Sequence, residues 1–132
     1  MTGDTVEAVA GAAAKKARYL RESPTGYFVL SALAGAYVGF GIILIFAIGA
    51  PLSAAASPFT KVVMGASFGI ALSLVIFAGS ELFTGNNMVM MVGMLKRTSS
   101  PAALLAVWVL SFIGNLAGSL LLAWLVAKSG VL

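Results

Sequence analysis

The sequence predicts an all-α membrane protein: an amphipathic helix over residues 1–22, then a unit over residues 23–132 with three transmembrane helices, the second broken by a re-entrant loop. Three observations carry this reading. Of 132 residues, 61% are hydrophobic and 9% charged, against about 25% charged in an ordinary soluble domain, and the mean hydropathy is +1.06. The charged residues sit in short groups between long apolar runs. One of those runs, residues 62–95, is too long for one crossing and too short for two.

The same composition removes most chemistry. There is no Cys and no His, which excludes disulfides and thiolate sites and takes away the commonest metal ligand. No nucleophile–base pair or phosphate-binding loop stands out, so neither an enzyme nor a cofactor or metal site is expected. The formal net charge is +4, but the basic residues flank apolar runs. They read as topology signals and not as a nucleic-acid surface.

The amino-terminal helix comes first. Residues 1–22 hold Asp4, Glu7, Lys15, Lys16, Arg18, Arg21 and Glu22 and lack the continuous apolar core of a signal peptide. Val6, Val9, Ala10, Ala13, Ala17 and Leu20 recur at helical spacing, with Lys15, Lys16 and Arg18 read as the opposite face. That pattern places the helix on the membrane surface, ended by Ser23-Pro24. The first span follows at about 26–49: Tyr27 to Ile48 is almost wholly apolar and, at about 1.5 Å per residue, covers a hydrocarbon core of roughly 30 Å. The stretch GAPLSAAASPF then reads as a loop of small residues.

Residues 62–95 form the second span. As one straight helix they would reach about 50 Å, whereas two crossings need about 40 residues and a turn. A single crossing with a break fits both limits. It also puts Lys96 and Arg97 on the side of the amino-terminal cluster, leaving only Lys61 and Lys128 opposite. That bias sets the amino terminus in the cytoplasm. The third span runs over about 101–127, from Pro101 to just before Lys128.

The break falls at GSELFTGNNM, read as unwound over 80–87. Unpaired backbone at membrane depth must face protein or a water-filled cavity, so a discontinuous helix points to a substrate or permeation site. Gly79 and Gly85 permit unusual backbone; Thr84, Asn86 and Asn87 supply donors and acceptors; Glu81 is ionisable at membrane depth. A structural role for Glu81, tying up freed loop amides, is the alternative. Gly35 and Gly39, Gly65 and Gly69, and Gly114 and Gly118 recur four apart, the spacing of close helix contacts in lipid.

At these residues the sequence resembles the formate/nitrite transporters. GSELFTGNNM looks like the loop in that family's broken second helix, and GASFGIALSLVIFAG like the half-helix before it. Similarity extends to SPTGYFVLSALAGAYVGFGIILIF and to FIGNLAGSLLLAWL, with the nitrite-channel branch the nearer one. The resemblance implies a multi-pass protein of the cytoplasmic (inner) membrane, six spans per protomer as two inverted three-span repeats, and a homopentamer with one pore per protomer. It places Phe68 and Leu72 at the outer constriction, and Leu82 and Phe83 at the cytoplasmic slit. Thr84 would hydrogen-bond toward the pore centre, and Asn115 would be a structural polar residue.

This chain has the length of one repeat and lacks the family's central pore histidine, which the second repeat carries. It is expected to be a fragment, or to work with a second three-span half. The basic bias argues against free pairing with an inverted copy. The function implied is half of a channel for small monovalent anions, nitrite before formate or hydrosulfide. The alternative is a scaffold half that packs in the lipid bilayer and transports nothing.

Overall fold

The computed structural model describes residues 2–130. Among the described residues the helices are α1 (Thr2–Glu22), α2 (Pro24–Ala54), α3 (Thr60–Ser67), α4 (Gly69–Phe77), α5 (Phe83–Leu95) and α6 (Pro101–Ser129). Three stretches are long and apolar enough to cross a membrane: Pro24–Ala54, Thr60–Phe77 and Pro101–Ser129.

Local chemistry sets most boundaries. Ser23 separates α1 from α2: its Oγ accepts from the N–H of Gly26 at 3.2 Å, and Pro24 fills the first helical position, where its missing N–H is not needed. Ser100 and Pro101 repeat the device at α6, with Ser100 Oγ accepting from Ala103 at 3.1 Å. The first span outruns its expected end. Helix α2 passes through Pro51 to Ala54, so the loop is confined to residues 55–59. A proline this near a helix end removes a single backbone bond, and its carbonyl still accepts from Ala55 at 3.0 Å.

The second span is bent and then unwound. Phe68 joins α3 to α4 with right-handed φ and ψ of −64° and −21°, so the two make one nearly continuous rod. Residues 78–82 then leave the helix, with Gly79 at φ +60°, a region that strains side chains bearing a Cβ. This corrects the expected break at 80–87. Thr84, Gly85, Asn86 and Asn87 form the first turns of α5, and of the expected loop residues only Glu81 is unwound. The helix restarts early because its first N–H groups are satisfied at once: Phe83 donates to Asn115 Oδ1 at 2.9 Å and Asn86 to the Leu82 carbonyl at 3.0 Å.

Helices α2 and α6 make the broadest contact in the molecule. Small residues allow it: a Cβ at Gly35 would fall on the Asn115 backbone, one at Gly118 on the Ala32 backbone, and one at Gly114 on the Ser31 side chain. Backbones that approach this closely gain dispersion contacts lipid cannot offer, which drives helix association in a bilayer. Gly65 and Gly69 behave differently. A Cβ at either would meet nothing within 4 Å, so that glycine pair faces open space.

Helix α1 lies mainly against α5, with further contacts to α2 and α6. Ala10, Ala13 and Ala17 are buried, Ala13 fitting against Gly93, and the Thr98 hydroxyl donates to the Ala10 carbonyl at 2.8 Å. The core of Ala13, Ala17, Tyr27, Met90, Leu104 and Val107 therefore gathers where α1 crosses the ends of the spans. One assignment on α1 is corrected. Lys16, read as part of the outer basic face, turns inward.

Candidate functional site

The unwound segment is stitched to all its neighbours. Glu81 N donates to the Leu30 carbonyl at 3.3 Å. From α6, Asn115 Nδ2 donates to the carbonyls of Glu81 at 2.9 Å and Ser31 at 2.8 Å, while its Oδ1 receives Phe83 N. One amide side chain thus satisfies backbone groups on both sides of the break, where bilayer lipid could satisfy none.

The Glu81 carboxylate does not tie loop amides. It is 7% exposed, and its Oε2 accepts from Lys16 Nζ at 2.6 Å, from the Tyr27 hydroxyl at 2.9 Å and from Asn86 Nδ2 at 3.1 Å. Asn86 Nδ2 also reaches the Tyr27 oxygen at 2.9 Å, and Trp108 Nε1 donates to the Asn86 carbonyl at 3.3 Å. A buried carboxylate needs both a counter-charge and donors to offset its lost hydration. Here the counter-charge comes from α1 and the donors from α2 and α5. The break and the amino-terminal helix are therefore one electrostatic unit.

Beside this cluster lies a cleft of about 310 Å³, with Lys16, Leu72, Ser80, Leu82, Gly85 and Asn86 among its lining residues. Its walls come from α1, α4, the break and α5, and it is open on the remaining side. Among the residues singled out from sequence, Leu72, Leu82, Gly85 and Asn86 share this cleft. Phe83 does not line it; its ring meets Phe112 of α6 edge-on, centroids 5.4 Å apart. Phe68 is 41% and Leu72 55% exposed; Leu72 stands on the uncovered face of α4, while one edge of the Phe68 ring reaches toward Gly41 of α2. Thr84 is exposed at the start of α5, and Asn87 Oδ1 is buried without a hydrogen-bond partner.

Three contributors escaped the sequence reading: Lys16, Tyr27 and Trp108. The signal for Lys16 was present. It stands three residues after Ala13 and four before Leu20, so helical geometry puts it on the apolar stripe. A cation there needs a buried partner, and Glu81 was the one carboxylate at membrane depth. Tyr27 and Trp108 carried no comparable signal, since aromatic residues near span ends are ordinary.

The sequence has known relatives along its whole described length. The family described as "Formate/nitrite transporter" matches over residues 3–132. The chain belongs to that family. It is 47% identical over 130 residues to the "Nitrite transporter NirC" of Salmonella typhimurium, covering 98% of this chain and 47% of that protein. The protein of the same name from Escherichia coli is 46% identical over the same shares. A "Probable formate transporter" of Methanothermobacter thermautotrophicus is 40% identical over 133 residues, 98% of this chain and 47% of that protein. Among solved structures an "FNT family ion channel" superposes with a TM-score of 0.90 at 46% identity, covering 98% of this chain and 51% of that one. The chain spans about half the length of the curated relatives it matches. With its apolar spans, membership makes it a multi-pass membrane protein.

Proposed function

We propose that this member of the formate/nitrite transporter family forms one wall of a channel for small monovalent anions, nitrite first and formate second. The observation that carries the reading is the one-sided cleft at the break. Its polar and apolar linings stand side by side, and the exposed Phe68, Leu72, Gly65 and Gly69 lie along the same uncovered second span. A complementary three-span half, inverted in the membrane, closes it, and the six-span units assemble as a homopentamer with amino termini in the cytoplasm. The break is then a re-entrant loop within the second span of one of two inverted repeats.

The physics suits a weakly bound monovalent ion. Lys16 and Glu81 neutralise each other, so the cleft carries polarity without a net charge that would trap an anion. Conduction needs that balance between entry and release. Leu72 and Phe68 narrow the outer side and Leu82 the inner side, with Phe83 behind it against Phe112, and the Thr84 hydroxyl at the start of α5 replaces part of the ion's hydration once the second half closes the cleft. Basic residues at the mouths raise the local anion concentration.

Nitrite flux into liposomes tests this. The chain reconstituted with its complementary half is expected to conduct nitrite, and the chain alone is not. Absence of flux from the complete assembly, with its spans correctly inserted, overturns the reading. Equal flux from the chain alone overturns the need for a second wall.

A further inference from the structure

A second polar site lies away from the break, where α1 passes the loop between α5 and α6. A hollow of about 510 Å³ opens there, floored by Ala14 and Ala17 of α1 and Ala103 and Ala106 of α6, with Arg21, Ser99 and Ser100 at its polar end. A second hollow of about 440 Å³ shares Thr98, Ser99 and Ser100 and adds Arg97. A strip of hydroxyls therefore runs between two arginines. No acidic residue lines either hollow.

Thr98 and Ser100 spend their hydroxyls on the Ala10 carbonyl and the Ala103 N–H, but the two arginines and Ser99 are not used internally. Among the described residues neither Arg21 nor Arg97 makes an ion pair through its side chain, and the Ser99 Oγ is buried without a hydrogen-bond partner. Arg97 is also held at φ +59°, a left-handed conformation in which Gly or Asn is at ease and a long side chain is not. A Gly or Asn would end α5 at less cost.

We propose that the two hollows form a binding site for the phosphodiester headgroup of an anionic phospholipid in the leaflet beside α1. The guanidinium groups match phosphate oxygens through forked hydrogen bonds, and the Ser99 hydroxyl donates a further one. The apolar floor takes the glycerol end of the acyl chains. That floor decides between sources: a free phosphate ion has no apolar portion to fill it, whereas a phospholipid presents both parts at the depth where α6 enters the membrane. The occupied site ties α1 to the start of α6, next to the helix that carries Lys16.

Native mass spectrometry of the detergent-purified chain, titrated with phosphatidylglycerol and with phosphatidylcholine of the same acyl chains, tests the site. Near an anionic membrane each basic residue contributes about fivefold in affinity, so the pair gives about thirtyfold. Phosphatidylglycerol is expected to bind preferentially by about that factor. Arg21→Gln and Arg97→Asn should each remove about fivefold of it. Asn suits the left-handed position, so Arg97→Asn should keep or raise the melting temperature while it lowers lipid preference, a combination a purely structural Arg97 cannot give. Lys15, exposed on α1 and outside both hollows, should be replaceable by Gln without effect. Equal binding of the two lipids overturns the site, as does full preference in the double variant or an equal loss in Lys15→Gln. Displacement of phosphatidylglycerol by millimolar inorganic phosphate overturns the lipid source in favour of a free anion.

Discussion

Asn115→Leu removes an amide of similar volume from the point where α6 holds the break. Three contacts go with it: the donors to the Ser31 and Glu81 carbonyls at 2.8 and 2.9 Å, and the acceptor for Phe83 N at 2.9 Å. The Ser31 carbonyl lies within α2, where helical bonding still serves it. The Glu81 carbonyl and the Phe83 N–H flank unwound backbone and are left bare. A buried group stripped of its partner costs about 1 to 3 kcal/mol, so two give about 2 to 6 kcal/mol. Interhelical hydrogen bonds in membranes average only about 0.6 kcal/mol, because the unfolded chain finds partners too, which places three bonds near 2 kcal/mol. The two estimates meet at about 2 kcal/mol, a sizeable share of a typical stability. Ser119→Ala is the contrast. Its hydroxyl donates to the Asn115 and Gly35 carbonyls at 2.8 and 3.1 Å, both inside helices, so its loss should cost less than about 1 kcal/mol. Reversible unfolding of the detergent-solubilised chain by dodecyl sulfate, followed by circular dichroism, measures both. An Asn115→Leu variant within about 0.5 kcal/mol of the parent, below the cost of even one orphaned group, would falsify the view that this side chain secures the break.

Four further outcomes are expected. Lys16→Met leaves the Glu81 carboxylate buried without its cation and should loosen α1, seen as faster proteolysis of residues 1–22; adding Glu81→Gln should recover part of the loss, because breaking a buried pair costs more than replacing it. Gly118→Ala drives a methyl into the Ala32 backbone and should separate α2 from α6, whereas Gly65→Ala meets open space and should be neutral or gain up to about 1 kcal/mol of helix propensity in the chain alone; equal melting temperatures for the two variants would contradict the packing. Single cysteines at residues 61 and 98 should label from opposite sides of the membrane, and labelling from one side would exclude a single broken crossing. Thr84→Val in the complete channel should change nitrite flux without changing assembly, and unchanged flux would reduce Thr84 to a brace at the start of α5.

The spans were legible because hydrocarbon solvent imposes them: Tyr27–Ile48 cannot be anything but buried or in lipid, and the 34-residue run could not be one straight helix. The existence of a break followed from length alone, and Gly79 marked where the backbone turns left-handed. Its end was not legible. Helix α5 starts at Phe83 because Asn115, 32 residues later in α6, caps it from across the bundle, and no local pattern announces a cap supplied from elsewhere. Glu81 was visible as a group needing a partner, but Lys16 was assigned by its charge to the outer face although its spacing from Ala13 and Leu20 put it on the inner one. Pro51 misled in the other direction. In an isolated reading it ends a helix, yet near a terminus it removes one bond and the helix runs on.

The contact between Lys16 and Glu81 spans 65 residues, and it sets an order of events during biosynthesis. At about 5 to 20 residues per second, the carboxylate is synthesised roughly 3 to 13 seconds after the lysine. Through that interval Lys16 lacks the carboxylate it meets in the finished fold and stands as one more cation beside Lys15, Arg18 and Arg21, ahead of the first span. When Glu81 and α5 follow, the charge is withdrawn into the protein. A single ammonium group thus stays unpaired until more than sixty further residues have been made, and only then locks the amino-terminal helix to the break.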